Sequence, residues 1–294
     1  MIALINEDQS KFVDVDNNRF PMALTISSEK DSLDNNVLTS MYFGEPFLSI
    51  SPSNYSTTLQ LTHNYKNSSQ LTARGIVQLT SFCNSIRELS LPYSMLSEQL
   101  VKVLCDTESI RLETLRVEAH PDIKPASKVS HEAWTSFTNH FPNINFVLLT
   151  FLTEAKDYNE LLVPYVPLTH LYFGDGVPSS VVEGIGERCP HLEELVIGAY
   201  GPNPIDETLI SAARGCLRLS AVGLGDCELT CSRFIEFVGL CCERLKILYV
   251  SDTSLIENSE YSITEVAEKV SSLLGKSWKP NYVPYCSKGH GDER

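Results

Sequence analysis

Cysteine is the residue type in this chain with the clearest capacity for chemistry, because a thiolate can bind zinc or act as a nucleophile. Four of the nine cysteines lie close together in the sequence: Cys227, Cys231, Cys241 and Cys242. Their spacing, which ends in two adjacent cysteines, is not that of a zinc finger. Cys242 also occupies a position that recurs with the same apolar pattern at other cysteines, which is typical of a small buried side chain. We therefore predict packing thiols and no metal site.

The sequence lacks the short motifs that mark common catalytic and nucleotide-binding sites. It contains no nucleophile elbow, no P-loop and no complete dinucleotide-binding glycine pattern. The nearest match, GIGERC at 184–189, lacks the third glycine and follows no predicted strand. We therefore predict that the protein is not an enzyme and that it binds no cofactor.

The cysteines belong to a repeated apolar pattern. From Cys189, apolar residues follow at the third, sixth and eighth positions, and the same register recurs from Cys83, Cys216 and Cys242. This is the leucine-rich-repeat signature L-x-x-L-x-L, which forms one short strand in each repeat. The central strand residues are predicted to be Leu89, Leu115, Val147, Leu171, Leu195, Val222 and Leu248. They are separated by 24 to 32 residues, and most of these intervals match the period of leucine-rich repeats.

Helical patterns occupy the intervals between the predicted strands. The predicted helices lie at 71–83, 97–105, 131–140, 180–189, 206–215, 230–242 and 262–275. Ser97 is a predicted N-cap, and two pairs match the capping box: Ser180 with Glu183, and Ser262 with Glu265. Residues 1–35 carry weaker signals, with possible strands near 12–15 and 23–26.

Strands that alternate with helices at this period predict an α/β leucine-rich-repeat solenoid, a horseshoe with parallel strands on the concave face and helices on the convex face. We expect weak and incomplete N-terminal repeats at 1–70, the solenoid at 71–275 and a C-terminal tail at 276–294. The strand positions between the core leucines should face the concave surface, because side chains alternate along a strand. These positions include Glu88, Ser90, Arg116, Glu118, His170, Tyr172, Glu194, Val196, Ile247 and Tyr249.

The formal net charge of −14 argues against a nucleic-acid backbone or an anionic membrane as the partner. It fits a basic protein surface. No apolar run approaches the roughly 20 residues of a membrane span, and the N-terminus has no signal-peptide pattern. We therefore expect a cytoplasmic or nuclear protein with free thiols.

Aromatic and polar residues on the concave face and in the tail are the candidates for partner binding. His170 and Tyr172 are either solvated polar surface or a contact surface, because solenoids commonly bind partners on the concave side. Trp278 is interpreted first as a cap over the end of the solenoid, whereas Tyr282 and Tyr285 lie in a proline-spaced segment that suits a docking peptide. The full set of predicted partner-binding residues is Trp278, Pro280, Tyr282, Tyr285, His170, Tyr172, Glu194 and Tyr249.

Several segments together resemble one protein family. They are HLYFG at 170–174, SAVGLGDCELTCSRFIEFV at 220–238, RLETLRVEAH at 111–120, the helix that contains Trp134, PIDETLI at 204–210 and LGKSWKPNYVP at 274–284. They are similar to the circadian subgroup of F-box and leucine-rich-repeat proteins, the cryptochrome-binding substrate receptors and their paralogues. The resemblance extends from about residue 71 to residue 284.

The resemblance implies an adaptor of an SCF-type ubiquitin ligase, which binds a target such as cryptochrome through its repeats and tail and binds Skp1 through an F-box. We find no F-box pattern in these residues, so Skp1–cullin binding is expected only of a longer form. The alternative is a leucine-rich-repeat module that binds the same type of target without recruiting the ligase. The cryptochrome-binding members end on a tryptophan, whereas here Tyr285 lies near that position and the chain continues to Arg294.

Overall fold

The computed structural model describes residues 24–27, 58–61, 73–82, 86–107, 110–121, 128–174, 176–199 and 204–281. The possible strand near 12–15 lies outside these residues, as do Tyr282 and Tyr285. The expectations for them therefore stay predictions.

The described part of the chain contains eleven strands. They are Leu24–Ser27 (β1), Thr58–Leu61 (β2), Glu88–Pro92 (β3), Thr114–Ala119 (β4), Asn145–Thr150 (β5), Leu168–Phe173 (β6), Glu194–Ala199 (β7), Ala221–Asp226 (β8), Leu229–Thr230 (β9), Ile247–Val250 (β10) and Leu255–Ile256 (β11). Strands β9 and β11 pair with each other, and the other nine form one open sheet in chain order. Strands β1 and β2 are antiparallel, and every other neighbouring pair is parallel.

Helical segments lie between the neighbouring parallel strands of the main sheet. Between β5 and β6 the segment is a short 3-10 helix, Ala155–Tyr158. The other pairs have α-helices between them. Within the described ranges the α-helices are Ala73–Phe82 (α1), Glu98–Asp106 (α2), His131–His140 (α3), Ser179–Glu183 (α4), Ile185–Arg188 (α5), Asp206–Gly215 (α6), Cys231–Cys241 (α7) and Ile263–Leu274 (α8). A parallel connection needs such a crossover, because the chain must return to the same end of the sheet. The predicted fold class, an α/β leucine-rich-repeat solenoid, is confirmed.

Two of the predicted helix starts have the expected side-chain caps. The Ser97 hydroxyl accepts a hydrogen bond from the Leu100 backbone N–H at 3.2 Å at the start of α2. Ser262 and Glu265 form the complete capping box at the start of α8. Each cap satisfies backbone donors that the first turn leaves unpaired, which stabilises a helix by about 1 kcal/mol.

The capping box predicted for Ser180 and Glu183 is wrong. Helix α4 begins at Ser179, directly after Pro178, whose φ of −65° and ψ of 136° place it at the N-cap. Ser180 therefore lies inside the first turn, and the N-cap position has no side-chain hydrogen bond. The predicted single helix is also divided in two at Gly184, a residue type with weak helix propensity.

The hydrophobic core lies between the sheet and the helices. In β3, Leu89 and Leu91 are each 1% exposed, whereas Ser90 between them is partly exposed and Glu88 before them is exposed. Burying a leucine side chain of this kind stabilises the fold by about 1.5–3 kcal/mol. Aromatic residues extend the core on the helix side, where Trp134 stacks on Phe146 with ring centres 5.3 Å apart. The predicted inward register is confirmed for the other strands, but that of β5 is wrong by one residue. Phe146 and Leu148 pair with Leu115 and Val117 and belong to the core, whereas the predicted Val147 and Leu149 lie on the opposite face. Four consecutive apolar residues, FVLL at 146–149, do not show which of them face inward.

Backbone hydrogen bonds tie the turn before each strand to the preceding repeat. The Glu193 N–H donates to the Thr169 carbonyl at 2.7 Å. One repeat later, the Ser220 N–H donates to the Glu193 carbonyl at 2.8 Å, and the Lys246 N–H donates to the Ser220 carbonyl at 2.7 Å. Because each bond fixes the start of a strand against its neighbour, the outward side chains of successive strands are held side by side.

Candidate protein-binding face

The parallel register aligns the outward strand residues in two rows across the concave face. The first row contains Ser90, Arg116, Val147, His170, Glu194, Ala221 and Ile247. The second row contains Pro92, Glu118, Leu149, Tyr172, Val196, Gly223 and Tyr249. The structure thus brings His170, Tyr172 and Glu194 together on β6 and β7, and it places Tyr249 on the same face at the edge strand β10.

A β-bulge positions His170. Strand β6 contains an extra residue, Thr169, because Phe146 pairs with Leu168 and the next residue of β5 pairs with His170. The Thr169 hydroxyl donates to the Phe146 carbonyl at 3.1 Å and lies 2.8 Å from Nδ1 of His170. A hydroxyl has one proton, so it must accept from the ring, and Nδ1 carries the imidazole proton. The bulge therefore fixes both the orientation and the tautomer of His170.

The protonation states of this cluster follow from burial and from neighbouring charges. Burial lowers the pKa of His170 below its ordinary value of 6.5, the charges of Glu194 and Glu193 oppose this shift, and Arg116 adds to it. Burial also raises the pKa of Tyr172, and the charge of Glu194 adds to that rise. At neutral pH the cluster therefore presents a neutral imidazole and a neutral phenol beside the Glu194 carboxylate.

Small residues of β8 lie next to this cluster. Ala221 is 7% exposed, and a Cβ added at Gly223 would lie 3.3 Å from Cγ2 of Val196. On the other side of these small residues, Ile247 is 39% exposed and Tyr249 is partly exposed. The concave face thus combines exposed apolar surface with a polar cluster, which is the composition of many protein interfaces.

The segment 276–281 covers the free edge of β10. The Asn281 N–H donates to the Val250 carbonyl at 2.8 Å, and Asn281 forms a parallel bridge with the residue that follows β10. Lys276 Nζ donates to the Lys246 carbonyl at 2.7 Å. An uncovered edge strand would present unpaired backbone groups to other chains. The beginning of the tail therefore closes the end of the sheet.

Trp278 is the centre of this terminal cap. Its Nε1 donates to the Leu248 carbonyl at 3.0 Å, and its backbone N–H donates to Oγ of Ser271 at 2.9 Å. The indole lies against Phe234 with ring centres 5.4 Å apart, and the residue is only 8% exposed. Pro280, by contrast, is partly exposed beside it. Little of the indole surface is thus accessible to a partner.

Two residues that shape the concave face were not predicted from the sequence. His120 stacks on Phe151 with ring centres 4.8 Å apart, and its Nε2 lies 2.7 Å from Oε1 of Glu118. The alternation of β4 continues to His120, so extending the period of two past the end of the strand would have found it. Thr169 gave no such signal, because a one-residue bulge leaves the apolar pattern of β6 almost unchanged.

The packing interpretation holds for Cys227, Cys231 and Cys241, which are buried, whereas Cys242 is only partly buried. Cys216 is fully buried and its Sγ donates to the Cys189 carbonyl at 3.3 Å. Burial raises the pKa of Cys216 to about 11 and that of Cys227 to about 12, so these thiols stay protonated at neutral pH. In the described residues, no group of three or more histidines, cysteines or carboxylates is placed to hold a metal ion. In the same part of the chain, no helix is long and apolar enough to cross a membrane.

Curated relatives share most of the sequence. F-box/LRR-repeat protein 21 of Mus musculus is 32% identical over 287 residues, which cover 96% of this chain and 66% of the mouse protein. The proteins of the same name from Bos taurus and Ovis aries are 34% and 33% identical over 289 residues, with the same coverage. The chain thus spans about two thirds of the length of these relatives.

No protein-family model matches the chain. Among solved structures, one chain in the crystal structure of a TLR13–ssRNA13 complex aligns with 69% of this chain and 29% of its own length, at 17% identity and a TM-score of 0.36. A TM-score at this level supports no argument about function. At 32–34% identity over 96% of its length, this chain belongs to the F-box and leucine-rich-repeat protein family.

Proposed function

We propose that the protein is the substrate-recognition subunit of an SCF-type E3 ubiquitin ligase, with a cryptochrome-like protein as the target for ubiquitination and proteasomal degradation. The observation that carries this proposal is membership of the F-box and leucine-rich-repeat family. The role of this chain would be to bind the target, while other subunits transfer ubiquitin. The proposal includes a cytoplasmic or nuclear location, and Skp1–cullin binding by a form that carries an F-box.

The concave face supports a role in binding. Tyr249, Ile247 and Val196 offer partly exposed apolar area, and tyrosine is among the residues that contribute most to protein interfaces. His170 and Glu194 add polar groups that a partner must match. The formal net charge of −14 favours a target with a basic surface, because complementary charge speeds association and rejects wrong partners.

The lifetime of cryptochrome in cells tests the proposal. Expression of the longest natural form of the protein should shorten the half-life of cryptochrome after protein synthesis is blocked, and Skp1 and cullin should co-purify with it. The alternative, a repeat module that binds the same target without recruiting the ligase, predicts a longer half-life and no Skp1. An unchanged half-life would contradict both.

Two matched variants connect that result to the concave face. Tyr249→Arg places a charge on the proposed contact surface and should abolish the effect on half-life. Asn139→Arg places the same charge on an exposed position of helix α3 and should leave the effect intact. Loss of the effect in both variants, or in neither, would show that the concave face does not select the target.

A further inference from the structure

Two hydrogen-bond acceptors face one another at the centre of the concave face. Nε2 of His170 lies 3.9 Å from Oε2 of Glu194, which is too far for a direct hydrogen bond. Because Nδ1 carries the proton that is donated to Thr169, Nε2 of the neutral ring has only a lone pair. A carboxylate likewise only accepts. The pair therefore lacks a donor between its two members.

The pair is partly accessible beside the small residues of β8. The side chains of His170 and Glu194 are 22% and 27% exposed. Ala221 follows Glu194 in the first row, and Ile247 follows Ala221, so a small side chain separates the carboxylate from the next large one. A partner side chain that lies over Ala221 can thus reach the two acceptors with its end group.

The residues on and beside β8 suit a long side chain with an apolar stem. Val196 and Ile247 flank the small residues of β8, so the middle of such a side chain would contact hydrocarbon. Arginine and lysine have this form, since their stems pack on apolar surface while the charged head makes polar contacts. Both also offer several donors and no acceptor, which complements Nε2 of His170 and the carboxylate oxygens of Glu194. The Tyr172 phenol already donates to Glu194, and a carboxylate can accept further hydrogen bonds.

The nearby charges favour a cation at this place. Glu193 is paired with Arg218 at 2.5 Å, so Glu194 supplies the local charge next to Ala221. Arg116 is the opposing charge, but it lies two strands from His170 on the side away from β8. A partner carboxylate would instead meet the Glu194 carboxylate, and like charges in contact are unfavourable.

We propose that His170 and Glu194 form a binding site for one arginine or lysine side chain of the partner protein, with its stem over Ala221 and Gly223. The inference rests on the proposed function, because it states which chemical group the target must present to the concave face. It gives His170 a specific role as a neutral acceptor held by Thr169.

Lower pH should weaken the binding of a cation at this site. Of the groups that face His170, Glu193, Glu194 and Arg116 bear charge, and Tyr172 stays neutral because burial raises its pKa. Below the lowered pKa of His170, Nε2 gains a proton, becomes a donor to Glu194 and adds a positive charge to the site. Binding of a cation should therefore weaken as the pH falls through the lowered pKa of His170, which lies below 6.5.

An NMR titration with a small probe tests the site directly. The probe is N-acetyl-arginine methylamide, and N-acetyl-citrulline methylamide is its uncharged control of the same shape. In protein labelled at valine and isoleucine methyl groups, the arginine probe should shift the signals of Val196 and Ile247 with a dissociation constant on the order of 1 mM. The citrulline probe should bind about tenfold more weakly, because it lacks a charge-assisted hydrogen bond.

Variants with little change in shape complete the test. Glu194→Gln should weaken the arginine probe about tenfold, whereas Glu88→Gln, an exposed carboxylate on β3 of the same face, should leave its affinity unchanged. His170→Gln should remove the dependence on pH. Dispersed methyl spectra will show that each variant is folded.

Equal shifts from both probes, or an undiminished arginine response in Glu194→Gln, would overturn the proposal. The titration involves neither cryptochrome nor a ligase subunit. A negative titration would therefore contradict this binding site but not the proposed function. A negative half-life experiment would contradict the proposed function but not the titration result.

Discussion

Trp278→Ala should lower the free energy of unfolding by about 3–5 kcal/mol, the usual range for truncating a buried aromatic residue. The substitution removes the ring that lies against Phe234 and the donor to the Leu248 carbonyl. The end of the core would be opened to water, and the edge strand would lose one of the bonds that cover it. Urea denaturation followed by circular dichroism measures the change.

Trp278→Phe separates packing from hydrogen bonding at the same position. Phenylalanine keeps an aromatic ring in the cap but has no N–H for the Leu248 carbonyl, so we expect a smaller loss, about 1–2 kcal/mol. If Trp278→Ala lost less than about 1 kcal/mol, Trp278 would not be the structural cap that its contacts indicate. Tyr285→Ala alone, with Trp278 intact, then tests docking of the tail to the target.

Gly215→Ala should destabilise the protein by about 1–3 kcal/mol. A Cβ at the last residue of α6 would overlap the carbonyl oxygen of Gly186 in α5. That atom belongs to the backbone, so no rotamer change can relieve the overlap, and the two helices must separate. Thermal unfolding and urea titration should both show the loss.

Gly239→Ala is the matched control in the neighbouring helix. A Cβ added there meets no atom within 4 Å, so the substitution adds only helix propensity. We expect a gain of about 0.5–1 kcal/mol. The two substitutions are chemically identical and should have opposite signs. Equal effects would mean that α5 and α6 do not approach each other as closely as the structure indicates.

The strands and the core were predictable from the sequence because each repeat restates the same pattern. Leu192, Leu195 and Ile197 follow Cys189 at fixed intervals, and all of them are buried at the expected places. The alternation within the strands also predicted which residues face outward, except in β5, where consecutive apolar residues hid the register and Val147 was wrongly expected to face inward. Parallel pairing of β6 with β7 in the register of the repeats is then enough to place His170 next to Glu194.

Other features depended on contacts that a local pattern does not record. The bulge at Thr169 adds one residue to β6 and fixes the tautomer of His170, yet it hardly alters the hydrophobic pattern. The break at Gly184 was hidden in a sequence with helical spacing. Trp278 bonds to Leu248 across thirty positions of sequence, and the tail has no periodicity to reveal where it lies.

Photo-crosslinking to purified cryptochrome tests the central claim, that the concave face recognises the target. Benzoylphenylalanine would replace Tyr249 on the concave face in one sample and Asn139 on helix α3 in another. We predict a covalent adduct with cryptochrome from position 249 and none from position 139. An adduct from position 139 alone, or equal adducts from both positions, would contradict it.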